Sequence, residues 1–180
     1  MRKSLWIAET GVMLALLIVL QWITKPLGQL VTGSCDNAVL AVSVLFACLS
    51  SGITVALLSP IFAYLLGIAP QLVTVPAIMA GNAVFVLLLS LLAGGKQPLW
   101  RSIAAWLAAA AGKFVVLYIL VVKIVCGLAS GFLLEWGVLK APMLEKLPGM
   151  FTLPQLFTAL IGGGLALVIV PLLKKALRRN

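Results

Sequence analysis

Residues 102–125 read SIAAWLAAAAGKFVVLYILVVKIV, an apolar run long enough to cross a bilayer that nevertheless carries Lys113 near its middle. A helix rises about 1.5 Å per residue, so Lys113 lies roughly 16 Å from Ser102, near the midplane of a hydrocarbon core about 30 Å thick. On insertion scales a lysine at that depth costs about 2.5 to 3.5 kcal/mol. It must face a partner, a wet cavity or a ligand rather than lipid. Trp106, two turns earlier, lies on nearly the same stripe. Lys123 falls about 15 Å further on, near the opposite interface, where its long stem can carry the amine to water.

The rest of the chain has the same character. Of its 180 residues, 63% are hydrophobic and 9% charged, with a mean hydropathy of +1.23. Several apolar runs exceed the roughly 18 residues that span a bilayer, and the alternating ten-residue segments of a membrane barrel are absent. The expectation is an all-α polytopic membrane protein. It forms a single integral domain over residues 1–180, with six transmembrane helices near 5–23, 35–49, 53–66, 75–92, 102–125 and 152–173.

The formal charge of +9 does not indicate nucleic acid, because the basic residues sit at the ends of apolar runs and form no patch interleaved with aromatics. With six crossings, Arg2, Lys3, Lys96, Arg101, Lys174, Lys175, Arg178 and Arg179 fall on one side; Lys25, Lys140 and Lys146 fall on the other. The positive-inside rule makes the first side cytoplasmic, together with both N and C termini. The basic, apolar start of the chain has no A-x-A-like site after it and reads as a first helix rather than a leader.

Cys35, Cys48 and Cys126 show no C-x-x-C spacing, and the chain has no histidine. Neither a disulfide framework nor a His-based metal site or triad is expected. Gly94-Gly95-Lys96 lacks the flanking pattern of a phosphate loop. No cofactor, no metal and no catalytic residue are assigned.

In chain order, the first span ends at Lys25-Pro26 and carries Gly11-x-x-x-Ala15, small residues one turn apart that let another helix approach closely, whether within the chain or from another subunit. Glu9 falls near its inner end. The polar stretch 26–34, with turns at Gly28 and Gly33, reads as an outer loop. Ser34 stands as N-cap to the second span, and Asp36 falls in its first turn. Three roles stay open for Asp36: completing the helix start, facing a ligand beside Asn37, or balancing Lys113 in a buried pair. Ser50-Ser51-Gly52 is expected to turn the chain into the third span, kinked at Pro60. Asn82 lies about 9 Å inside the fourth span, as interhelical glue or as a pocket residue. Between the fifth and sixth spans, Phe132, Leu133, Trp136 and Leu139 are spaced as one side of a short interfacial or lid-like helix, and Gly162-Gly163-Gly164 permits close approach or a bend.

Under this topology Asp36, Asn37, Tyr64, Asn82, Tyr118, Gln155 and Thr158 all fall in the outer half, with Lys113 as the floor. A cavity open outward and closed below follows, suited to a small polar molecule.

A chain of this size, with six helices, a small-x-x-x-small first span and basic inner ends, resembles the substrate-binding S components of energy-coupling factor transporters. In that family an Ala-x-x-x-Ala pair docks on a transmembrane coupling subunit; here glycine replaces the first alanine, at Gly11, and Ala15 keeps the second place. The resemblance implies a high-affinity binder of a vitamin or related micronutrient, partnered by that subunit and two cytoplasmic ATPases in a prokaryotic plasma membrane. It also implies that residues 29–34 cover the ligand. Within the pocket the expected contacts are Lys113, Asn82, Asn37, Asp36, Thr32, Tyr64 and Gln155. A non-catalytic membrane scaffold, whose polar residues only join helices, is the alternative. An integral membrane enzyme is disfavoured because the acids do not cluster in the outer half.

Overall fold

The computed structural model describes residues 3–93 and 98–177, and among them every regular element is helical. The long helices are α1 (Lys3–Thr24), α2 (Gln29–Val42), α3 (Leu49–Leu65), α4 (Val75–Ala93) and α5 (Leu99–Leu117). Two short helices follow, α6 (Ser130–Glu135) and α7 (Ala141–Met150), before the last long one, α8 (Leu153–Ala176). Two stretches widen into π-helical turns: Ser43–Ala47 continues α2, and Tyr118–Leu128 continues α5. Arg2, Lys96, Arg178 and Arg179, half of the basic residues assigned above to the inner side, lie outside the described residues, as do residues 94–97 of the inner loop.

Among the described residues, five helical stretches are long and apolar enough to cross a membrane once their 3-10 and π-helical extensions are counted: Lys3–Leu27, Gln29–Ala47, Leu72–Ala93, Leu99–Leu128 and Leu153–Ala176. The helix that stands at the remaining predicted span, 53–66, is Leu49–Leu65, apolar but only 17 residues long. At about 1.5 Å per residue it covers some 25 Å, a little less than an average hydrocarbon core.

The long helices close a ring in the order α1, α2, α8, α5, α4, α3 and back to α1. Apolar side chains from all six fill the centre, among them Leu17, Leu40, Val55, Phe85, Ala110 and Ala166. A second cluster, with Leu117, Val121, Leu139, Leu147 and Phe151, anchors α6 and α7 beneath the π-helical extension of α5. Small residues set the closest approaches. A Cβ on Gly162 would stand 2.5 Å from the Ser34 carbonyl oxygen and 2.6 Å from the Ala38 nitrogen, so α8 meets the backbone of α2 only because that side chain is missing. Gly163 presses on the Trp106 indole of α5 in the same way.

Several boundaries differ from the sequence reading. The stretch 29–34 is not a loop: α2 begins at Gln29, and only Gly28, at φ +87°, makes the turn. Gly33 is helical, and its missing side chain makes room for Thr158, whose Cγ2 would stand 2.9 Å from a Cβ there. Ser34 caps nothing; its hydroxyl donates to the Leu30 carbonyl one turn back. Asp36 therefore sits in the middle of α2 rather than in its first turn. The turn into α3 falls at extended Cys48, while Ser50, Ser51 and Gly52 are already helical. The predicted one-sided stripe between the fifth and sixth spans also divides. Gly137, at φ +66°, ends the segment after α6, Leu139 is buried, and Phe132 and Trp136 pair their rings in the open.

Candidate functional site

A cavity of about 280 Å³ lies at one end of the ring. It is lined by the end of α1 (Gln21), the first half of α2 (Gln29, Thr32, Asp36, Asn37) and the last turns of α3 with its following loop (Ser59 to Pro70). Asn82 of α4, Lys113 of α5 and Met150 to Gln155 ahead of and within α8 complete the wall. Alternating helix direction brings these segments to the same end. Lys174 lines a separate cavity with Ser90, Ser102 and Pro171.

Lys113 is 4% exposed, and its Nζ donates to Asn37 Oδ1 at 2.6 Å and to Asn82 Oδ1 at 2.7 Å. The Phe85 ring lies 5.8 Å from the same nitrogen, a cation–π distance. Asn37 is itself fixed: its Nδ2 donates to the Gly33 carbonyl at 2.8 Å and to Thr158 Oγ1 at 3.3 Å, which turns Oδ1 toward the lysine. Three helices thus meet at one amine. An ammonium carries three donors, and the two asparagines take two of them.

Asp36 does not close onto Lys113 by a hydrogen bond. Its Oδ2 accepts from Gln21 Nε2 at 3.0 Å, and its Oδ1 is buried without a partner. Thr32 is buried and takes a hydrogen bond from Thr24 Oγ1 at 3.1 Å. At the cavity's edge Gln29 Nε2 donates to the Met150 carbonyl at 2.8 Å, with Gln155 Nε2 on the same oxygen at 3.4 Å. These bonds tie the start of α2 to the end of α7. Lys25, exposed at the rim, donates to the Leu66 carbonyl at 2.9 Å.

Of the residues expected from sequence, Lys113, Asn82, Asn37, Asp36, Thr32 and Gln155 all line this cavity. Tyr64 does not: it is 39% exposed on the outside of α3 and is withdrawn from the set. The stretch 29–34 contributes to the cavity as helical wall, not as an overlying loop, because α2 starts six residues earlier than expected. Sequence reasoning missed Gln21 and Ser59, and had Gln29 only as the start of the covering stretch. Gln21 had a signal, an amide in the otherwise apolar second half of the first span. Ser59 precedes Pro60, where only a kink was expected.

Gly11 and Ala15 lie on an exposed face of α1, with nothing within 4 Å of where a Gly11 side chain would begin. Among the described residues no three His, Cys, Asp or Glu side chains gather in a way that could hold a metal. The cavity's polar groups are amines, a carboxyl, amides and hydroxyls, a set that recognises by hydrogen bonding and charge. No protein-family model, curated protein or solved structure matches the chain.

Proposed function

We propose that this chain is the substrate-capturing subunit of an energy-coupling factor type transporter, taking a small vitamin-like solute from outside a prokaryotic cell. In this reading the chain crosses the plasma membrane six times, with α3 as the short crossing and both ends of the chain in the cytoplasm. The outer cavity receives the solute. The open Gly11 and Ala15 face of α1 meets the transmembrane coupling subunit, and two ATPases supply the energy.

The observation that carries this reading is the position of Lys113, an amine deep in an apolar helix that forms part of the wall of a 280 Å³ cavity. That volume is close to the lower end of small-molecule sites, about 300 Å³. The deciding experiment is mass spectrometry of small molecules released from the purified protein, paired with thermal shift against a vitamin panel. A stoichiometric solute that gives a saturable shift supports capture; no solute and no shift would overturn it.

One observation favours a second reading. The Lys113 bonds to Asn37 and Asn82 also staple α5 to α2 and α4, as a non-catalytic scaffold would need. Under that reading Lys113→Met lowers stability and changes no binding.

A further inference from the structure

Gln21 is 3% exposed, and its amide orientation is forced. Nε2 donates to Asp36 Oδ2, and the flipped amide would set oxygen against oxygen. Two acceptors are therefore left over side by side: Gln21 Oε1 and Asp36 Oδ1, both buried and both without a partner. Buried polar atoms are nearly always paired, so each such exception calls for an explanation. Both residues line the outer cavity. Their unpaired oxygens are shut off from solvent among the residues that wall the cavity, so a donor on an occupant would answer them without disturbing the Gln21–Asp36 bond.

The opposite requirement comes from Lys113. It has one N–H beyond those given to Asn37 and Asn82, so its share of the cavity asks for an acceptor. The buried part of the cavity holds one amine and one carboxyl. With the amine protonated, which gives Lys113 its third N–H, and the carboxyl ionised, which makes Asp36 Oδ1 an acceptor, the two together carry no net charge. A lone carboxylate or a lone cation would find one favourable partner and one unfavourable one.

We propose that the cavity selects an electroneutral solute carrying a hydrogen-bond donor for the Gln21 and Asp36 oxygens and an acceptor for Lys113, in preference to a simple carboxylate. This rests on the capture reading and narrows its substrate class. An amide, a cyclic imide or a zwitterion fits; an unbalanced anion does not.

The test uses the purified full chain and matched probes: nicotinamide against nicotinate, uracil against orotate, and pantothenol against pantothenate, with N,N-dimethylnicotinamide and 1,3-dimethyluracil as donor-blocked analogues. The expected result is saturable binding of at least one neutral member, ten-fold or more tighter than its carboxylate counterpart, and a ten-fold loss when its donors are methylated. Asp36→Asn and Gln21→Met should each weaken that neutral probe ten-fold and leave its blocked analogue unchanged. The wild-type comparison stands even if a variant fails to fold. Preferential binding of the carboxylates, or a saturable shift with only charged members of the vitamin panel, would overturn the inference while leaving capture intact; no co-purified solute and no saturable shift with either the probes or the panel would remove capture as well.

Discussion

Lys113 Nζ stands 2.6 Å from Asn37 Oδ1 across 76 positions of sequence, and the same nitrogen reaches Asn82 Oδ1 at 2.7 Å. An amine that was expensive in an apolar helix is thereby placed where α2, α4 and α5 converge. The first prediction concerns this junction. Lys113→Met should abolish solute binding, a loss of 100-fold or more, while the chain still folds. Two asparagine oxygens lose a donor, each at a cost of about 1–3 kcal/mol if left unsatisfied. Binding isotherms and a thermal melt read the two effects separately; unchanged affinity would remove Lys113 from the site.

Gly162 lies where α8 meets backbone, not flexible side chains. Gly162→Ala should lower stability by the cost of overpacking, about 1–3 kcal/mol. Gly163→Ala meets only the Trp106 ring, so pairing it with Trp106→Leu should restore part of what it loses. Melting temperatures of the single and double variants in detergent measure both.

On α1, a side chain at Gly11 would meet open space. Gly11→Leu should leave the melting temperature and solute affinity of the isolated chain unchanged, yet block co-purification with a coupling subunit and abolish uptake. Retained uptake would count against this face as the docking surface.

Gln29 reaches the Met150 carbonyl and holds α2 to α7 beside the cavity. Gln29→Ala should speed solute dissociation several-fold with a smaller effect on association, as stopped-flow measurements would resolve. Equal dissociation rates would show that this tie does not gate the cavity.

Much of the architecture was legible because a bilayer imposes it. An apolar run longer than the hydrocarbon core has few alternatives to a helix, and α4, Val75–Ala93, falls within a residue of its expected bounds at each end. The start of α2 was not legible. Gly28, Gly33 and Ser34 form a turn-rich string, but only Gly28 is used as a turn. Gly33 is small because Thr158 of α8 packs on it, and that demand comes from a residue 125 positions away. Tyr64 failed for a related reason: depth in the membrane follows from sequence position, but which side of α3 faces the cavity depends on packing.

The sequence by itself determined that this chain is a bundle of membrane-length apolar helices and that one lysine among them needs company. Hydropathy and helix rise are local properties, read directly from consecutive residues. Only the tertiary structure decided that the company is Asn37 and Asn82 rather than Asp36, and that Gln21 holds Asp36 aside with two oxygens unanswered. Those choices depend on how six helices rotate and settle against one another, and small side chains such as Gly33 and Gly162 fix that arrangement by contacts between residues far apart in the chain.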